Sequence, residues 1–171
     1  MSWWSRSGGR ALGAEPSARG EHEPIAVFRV EGVVEGWIPK QDGRISDGLN
    51  QTDRVRVRSE ASDGSVGEWL EFSLDEVIAV APAPRPPSAA RVSRRLHPLE
   101  VEAGPYRVNG TVHLPIGADP RRYMASTGRQ WLPLTDCTVS AAEDEWAVAV
   151  VIVNLDHASR REPFHQPPPF G

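Results

Sequence analysis

Glu68-Trp-Leu-Glu-Phe-Ser-Leu-Asp-Glu-Val77 has a counterpart later in the chain, where Glu145-Trp146 is followed by Asn154-Leu-Asp-His-Ala158. An upstream segment also returns, since Val34-Glu-Gly36 reappears as Val108-Asn-Gly110. The offset between counterparts grows from 74 residues at these glycines to 81 residues at the Leu-Asp pairs. A growing offset is typical of two related units, the second of which has gained residues in its loops. The repetition therefore predicts two similar structural units.

The length of 171 residues accommodates two such units of roughly 60 residues each. We predict a disordered N-terminal tail over 1–23, a first β module over 24–81, a Pro- and Arg-rich linker over 82–95, a second β module over 96–162 and a Pro-rich tail over 163–171. Units this small are marginally stable alone. We therefore expect the modules to pack together or the chain to form a homo-oligomer.

Alternating hydrophobicity predicts that both units are built from strands. Arg54-Val-Arg-Val-Arg58 alternates strictly, which is typical of a strand with one solvated side. In the second unit we expect strands near 99–103, 106–114, 129–135, 146–153 and 157–161. The predicted fold class is mostly β, with two tandem small β-barrel or roll modules that each contain one short helical insertion, and with disordered termini. Closure of each barrel would leave no exposed strand edge.

The predicted helical insertions lie between the second and third strands of each unit. In the second unit Asp119 is a good N-cap for a short helix over Arg121–Thr127. In the first unit Ser46 can cap a single turn that places Ile45 and Leu49 on one side.

Charge is distributed unevenly along this mildly acidic chain, whose net charge is −4. Residues 24–81 carry six basic and eleven acidic side chains, and residues 96–162 carry six and nine. Both modules should therefore repel a phosphate backbone at long range. Within 85–95, by contrast, there are four arginines and no acid, namely Arg85, Arg91, Arg94 and Arg95.

The expected location is the cytoplasm, without membrane contact. Cys137 is the single cysteine, so no intrachain disulfide can form, which fits a reducing compartment. The N-terminus has no continuous apolar segment of the kind found in secretory signals. The longest apolar run, Ala147–Val153, is too short to cross a bilayer.

Sequence motifs for chemistry are missing. The five histidines are not spaced as metal ligands, and no nucleophile elbow or phosphate-binding glycine pattern occurs. Asp75 and Asp156 occupy matching positions, but a Leu-Asp turn in which the carboxylate binds local backbone explains them better than a catalytic pair. We expect no catalytic residues, no metal and no cofactor.

Two motifs resemble those of an uncharacterised bacterial domain family. Arg44-Ile-Ser-Asp-Gly-Leu-Asn50 is similar to its R-[LI]-S-D-x-L-N signature, and Trp131-Leu-Pro-Leu-Thr-Asp-Cys-Thr-Val139 to its [FW]-L-x-L-T-D-[AC]-x-V strand. The resemblance implies a small β domain and no reaction. Asp47-Gly-Leu-Asn50 also resembles, distantly, the loop by which Sm-like barrels contact RNA, although it is one residue shorter.

The function expected from the sequence is that of a non-enzymatic interaction or regulatory adaptor with an unidentified protein partner. Its contact surface is expected at the two helical insertions, at Arg44, Ser46, Asp47, Asn50, Arg121, Arg122 and Tyr123. One alternative is binding of RNA or single-stranded nucleic acid through an Sm-like barrel and the basic linker residues Arg91, Arg94 and Arg95. The other alternative is a small-ligand or nucleotide sensor with a pocket between the modules.

Overall fold

The computed structural model describes residues 4–6, 10–11, 21–60, 66–85, 93–120, 122–123 and 130–163. These residues form a mostly β structure with one short helix, α1 (Ile45–Leu49), so the predicted mostly-β class is confirmed. The strands are β1 (Trp4–Arg6), β2 (Arg10–Ala11), β3 (His22–Arg29), β4 (Gly32–Pro39), β5 (Arg54–Glu60), β6 (Val66–Ser73), β7 (Val77–Pro82), β8 (Arg94–Ala103), β9 (Tyr106–Pro115), β10 (Trp131–Ala141), β11 (Asp144–Asn154) and β12 (Ala158–Pro163). Two 3-10 turns, Leu74–Glu76 and Leu155–His157, lead into β7 and β12.

Ten of these strands form one antiparallel sheet in the order β12-β8-β9-β10-β11-β7-β3-β4-β5-β6. We call residues 22–82 the first half and residues 94–163 the second half. Within each half the fifth strand pairs with the first, and the first four strands pair in series. The halves meet at a junction between β11 and β7, where Ile152 lies opposite Val80 and Val153 opposite Ala79.

The sheet does not close on itself, which corrects the expectation that no free edge would remain. Among the described strands, β6 pairs only with β5, and β12 pairs only with β8. The junction explains the opening, because β11 occupies the edge of β7 that would otherwise have to meet β6. A free edge therefore remains at each end of the sheet.

Strands extend into segments that were predicted to be tails or linker. β1 lies antiparallel to β11, with Trp4 opposite Val148, and β3 begins at His22. β8 begins at Arg94, inside the predicted linker, because it pairs with β9 along its whole length. Trp3 and residues 164–171 lie outside the described residues.

The helical insertions differ in how they begin. α1 starts after Arg44, whose side chain makes no capping hydrogen bond, so the prediction that Ser46 is the N-cap was wrong. In the second half the N–H of Arg122 donates to Asp119 Oδ1 at 3.3 Å, which is the predicted cap. None of the described helices is both long enough and apolar enough to cross a membrane.

The strand register corrects the pairing of the two Glu-Trp sequences. Trp69 lies opposite Arg58 and is 43% exposed, whereas Trp146 lies opposite Val139 and is 6% exposed. The two tryptophans differ because the hairpin of β10 and β11 is longer, with strands of 11 residues each against 7 and 8 in β5 and β6. By register, the position of Trp69 corresponds to Val150, which lies opposite Thr135.

The two halves share their apolar cores. The smaller cluster is built around the first half but includes two residues of the second, and its buried members are Ile25, Val27, Ile38, Ile45, Leu49, Val55, Val57, Phe72, Val77, Val80, Trp131 and Ile152. The larger cluster is built around the second half but includes Phe28 and Ile78. Phe28 makes edge-to-face contacts with Tyr106 and Trp146, at ring-centroid distances of 5.3 and 5.7 Å. Alternate residues of β3 thus contribute to different clusters.

Two matching glycines allow the second strand of each half to approach the third. A Cβ atom at Gly36 would lie 2.6 Å from Arg58 O, and one at Gly110 would lie 2.7 Å from Cys137 Sγ. Any larger residue would collide with the neighbouring strand at either place.

Candidate functional site

The predicted contact residues of the first half lie at α1 but are not equally accessible. Arg44, Asp47 and Asn50 are exposed, whereas Ser46 is buried, so Ser46 is not available as a contact residue. Asn50 Nδ2 donates to Ser46 O at 2.7 Å and closes the helical turn. Ile45 and Leu49 anchor that turn in the smaller cluster, as their spacing predicted.

The predicted contact residues of the second half are less fully described. Arg122 is exposed, and Tyr123 is half-buried against the larger cluster. The side chain of Arg121 lies outside the described residues, as do residues 124–129 of the predicted helix.

The basic linker divides into bound and exposed arginines. Arg85 is paired through two nitrogens with the carboxylate of the buried Glu23, one contact being Nε to Oε2 at 3.2 Å. Arg94 and Arg95 are exposed at the start of β8, and Arg91 lies outside the described residues. The linker therefore offers less unpaired positive charge than its composition indicated.

A more concentrated group of charged and aromatic side chains lies on β5 and β6. Arg54, Arg56 and Arg58 point to one side of β5 because successive strand residues alternate, while Val55 and Val57 are buried on the other side. Trp69 on β6 lies on the same exposed side as the arginines. We call Arg54, Arg56, Arg58, Trp69 and Glu71 the arginine–tryptophan face.

Cation–π contacts organise this face. The guanidinium carbon of Arg56 lies 5.2 Å from the centroid of the Trp69 ring, and that of Arg58 lies 5.0 Å from it. These distances are within the range of cation–π attraction. Arg58 Nε is buried and lacks a hydrogen-bond partner. The tryptophan thus holds two guanidinium groups together at the surface.

Glu71 neutralises part of the charge of the face. Its carboxylate pairs with Arg54 and, at 2.9 Å, with Arg56 Nε. Hydrogen bonding to Glu71 and its negative charge raise the pKa of the Arg54 guanidinium above its usual value. Glu71 pairs with two of the three arginines, so the five residues of the face together carry an excess of positive charge. Sequence analysis assigned the alternating arginines to a solvated strand but did not recognise that Trp69 lies among them.

The face has a positional counterpart in the second half, which is covered at the positions of Arg54 and Glu71. Arg54 lies opposite Ser73 in the first half, and Trp131 lies opposite Asn154 at the corresponding place in the second. The side chain of Arg54 is 58% exposed, whereas Trp131 is fully buried in the smaller cluster. The position that binds the other half at the junction is therefore open to solvent on the first half.

Asn154 fixes the junction through hydrogen bonds. Its Nδ2 donates to Leu74 O at 3.1 Å and to Val77 O at 3.0 Å, both in the first half. Its Oδ1 accepts from the N–H of Asp156 at 3.1 Å. This buried amide thereby joins the two 3-10 turns of the chain.

The groups considered for catalysis have structural partners. Cys137 is buried, and burial raises the pKa of its thiol to about 12, so the thiolate nucleophile is scarce at neutral pH. Asp156 Oδ2 accepts a hydrogen bond from Gln130 Nε2 at 2.6 Å, a side chain 26 positions away and not the local backbone group that the sequence predicted. Within the described part of the chain, no three His, Cys, Asp or Glu side chains cluster as metal ligands.

Comparison with known proteins adds no relative to this picture. The resemblance to the bacterial domain family therefore rests on sequence motifs alone. No family model, no curated protein and no solved structure matches this chain.

Proposed function

We propose that this protein is a non-enzymatic interaction adaptor composed of two copies of one bent, five-stranded roll. One copy holds the other through the junction, and the arginine–tryptophan face of the first copy contacts a separate partner. The observation that carries the proposal is the different exposure of equivalent positions: Trp131 is buried by the first half, while Arg54 is open to solvent.

Local geometry supports two copies of one module. The two halves have the same order of paired strands. In both, the residue that begins the 3-10 turn bonds back to the residue before the third strand: Leu74 N donates to Asp53 O at 3.3 Å, and Leu155 N donates to Gln130 O at 2.7 Å. Gly36 and Gly110 allow the same close approach of strands.

The way the halves meet favours an adaptor over a small-ligand sensor. Trp131, Ile152 and Asn154 fill the junction with packed and hydrogen-bonded side chains. A sensor with its pocket between the modules would need that volume for its ligand. The accessible chemistry lies instead on the exposed face of β5 and β6, which suits contact with a macromolecule.

The surface can be tested by affinity purification with quantitative mass spectrometry. The bait proteins are the full chain, an Arg56→Gln/Arg58→Gln/Trp69→Ala variant and an Arg107→Gln control. Arg107 suits the control because its side chain is 56% exposed and pairs with Glu102, as Arg56 pairs with Glu71. We expect partners to be depleted about tenfold by the face variant and retained by the control. Retention of every partner by a folded face variant would rule out this surface.

The contact surface at the helical insertions stays a separate prediction. Arg44, Asp47 and Asn50 are the accessible residues there, so an Arg44→Ala/Asp47→Ala bait belongs in the same experiment. Loss of a partner from this bait, with retention by the face variant, would place the contact at α1.

A further inference from the structure

The free edge of β6 corresponds to an edge that is occupied elsewhere in the same molecule. β6 is the fourth strand of the first half, and β11 is the fourth strand of the second. The edge of β11 is paired with β7, whereas β6 has no second neighbour among the described strands. Unpaired N–H and C=O groups along such an edge are a template for an added strand.

Side chains beside the two edges differ in chemistry. At the junction the residues that meet the other half include Trp131 and Ile152, which are apolar. Their counterparts by register are Arg54 and Glu71, which belong to the arginine–tryptophan face. A strand that adds to β6 would thus meet charged side chains where β7 meets apolar ones.

The occupant should therefore be acidic, with its charges at particular positions. Residues 69, 71 and 73 point to the side of β6 that carries the face, so an added strand presents alternate residues to them. A carboxylate directly opposite Glu71 would be repelled, whereas carboxylates opposite Trp69 and Ser73 could reach Arg58 and Arg54. This predicts two acidic residues four positions apart, with a neutral residue at the middle position, opposite Glu71.

A second copy of the chain fits this edge poorly. A second copy has two free edges among its described strands, β6 and β12, and β12 is the one that corresponds to β7. Register with β8 gives Arg161 the position that Val80 has at the junction. By that register Arg161 would stand opposite Glu71, whose carboxylate is already shared by Arg54 and Arg56. This edge would therefore place an arginine, and not an acid, opposite the face.

Nucleic acid is also disfavoured. Residues 24–81 hold eleven acidic and six basic side chains, and a polyanion would meet the field of this whole region. A short acidic strand would bring two carboxylates directly to the arginines and little other charge.

Resting on the proposed function, we infer that the arginine–tryptophan face receives an extended acidic segment of a partner protein, which pairs with β6 as an added strand.

A peptide titration tests this inference. The probe is a fluorescein-labelled peptide with the core Glu-Val-Thr-Val-Glu, titrated with the full chain and followed by fluorescence anisotropy. Matched probes carry Gln or Lys in place of both Glu residues. We expect the acidic probe to bind about tenfold more tightly than either, because two charge-assisted contacts distinguish them. Arg54→Gln/Arg58→Gln should abolish the preference, and Arg107→Gln should keep it.

Strand addition is tested separately from charge recognition. Methylation of alternate peptide nitrogens on the acidic probe removes backbone donors without changing its charge, and should weaken binding about tenfold. Equal binding of the methylated probe would overturn pairing with β6. Equal binding of acidic and neutral probes would overturn the acidic ligand.

Two further measurements address the other occupants. The first uses a labelled ten-nucleotide oligothymidylate. If it binds more tightly than the acidic peptide, and if the same variants lose this binding, the face binds nucleic acid and the inference is wrong. The second is the molar mass of the protein, measured by light scattering at increasing concentration. A rise to the mass of a dimer that is absent in the face variant would show self-association through this face instead. If no probe prefers the face but purified partners still require it, the acidic strand is wrong and the adaptor function stands.

Discussion

At the scale of single residues, Asn154 has the greatest concentration of buried polar contacts at the junction. Its amide nitrogen serves two carbonyl groups of the first half, while its oxygen accepts from Asp156 N–H. A buried polar group that loses its hydrogen-bond partner is still removed from water, and this desolvation then destabilises the fold. The stability of the junction therefore depends on this side chain out of proportion to its size.

Asn154→Ala should lower the free energy of unfolding by about 2 to 4 kcal/mol, because Val77 O and the N–H of Asp156 lose a partner and Leu74 O keeps the longer contact with His157 Nε2 at 3.4 Å. Urea denaturation followed by circular dichroism measures the change. Asn50→Ala is the matched control, since Asn50 is exposed and its amide donates to Ser46 O. Its loss should stay below about 1 kcal/mol. Equal effects at the two positions would contradict the role given to Asn154.

The buried thiol of Cys137 should make the protein less stable at alkaline pH. Burial raises its folded pKa from 9.0 to about 12, so the unfolded chain releases this proton at lower pH than the folded chain. Above pH 9 the unfolded state binds fewer protons, and stability must fall as pH rises. Between pH 7 and pH 10 we expect titration of this thiol to lower the free energy of unfolding by roughly 1 kcal/mol.

Urea denaturation of the wild type and of Cys137→Ala at pH 7 and pH 10 isolates this contribution. The variant is less stable at pH 7 because it leaves a small cavity, but it should lose less stability on going to pH 10. Tyr106, whose phenol pKa is also raised by burial, is present in both proteins and cancels in the comparison. Identical losses in the two proteins would show that Cys137 does not titrate in this way.

At the scale of elements, the close approach of β4 to β5 depends on Gly36. A Cβ added there would meet Arg58 O, a backbone atom that cannot rotate away. Gly36→Ala should therefore destabilise the fold by about 1 to 3 kcal/mol through overpacking. Gly43→Ala is the control, because nothing lies within 4 Å of the added atom. Thermal unfolding that ranks the two variants equally would contradict the requirement for glycine.

Strand positions were largely predictable, but the junction was not. Alternation at Arg54–Arg58 gave β5 with its solvated side, and the cap at Asp119 was recognisable from local chemistry. The pairing of β11 with β7 depends on contacts far apart in sequence, which no local pattern specifies. One signal was available: Trp131-Leu-Pro-Leu134 lacks the alternation of Arg54–Arg58, and this strand begins with Trp131 and Leu132 buried on opposite sides.

The surface was harder to predict than the strands. Arg54, Arg56 and Arg58 were visible as a pattern, but Trp69 was matched with Trp146, and register shows that the two occupy different positions. The ion pair between Arg85 and Glu23 joins residues 62 positions apart, so composition alone overstated the free charge of the linker.

At the scale of the whole molecule, the halves should not be separable. Isolated 21–85 would lose Trp131 and Ile152 from its core, and isolated 93–163 would lose Phe28 and Ile78 from its own. We expect each fragment alone to lack a cooperative unfolding transition and an equimolar mixture to regain it. The dispersion of amide signals in heteronuclear NMR spectra, recorded for each fragment alone and for the mixture, shows whether a folded structure has formed. A dispersed spectrum from 21–85 alone would contradict the shared cores.

The chain is synthesised from its N-terminus, so the position of Trp131 has a consequence during translation. Seventy-two residues separate the end of β7 at Pro82 from Asn154, the last junction residue. At ordinary translation rates the ribosome needs roughly 4 to 14 s to make them. During that interval the apolar residues of the first half that later pack against Trp131 lack that partner.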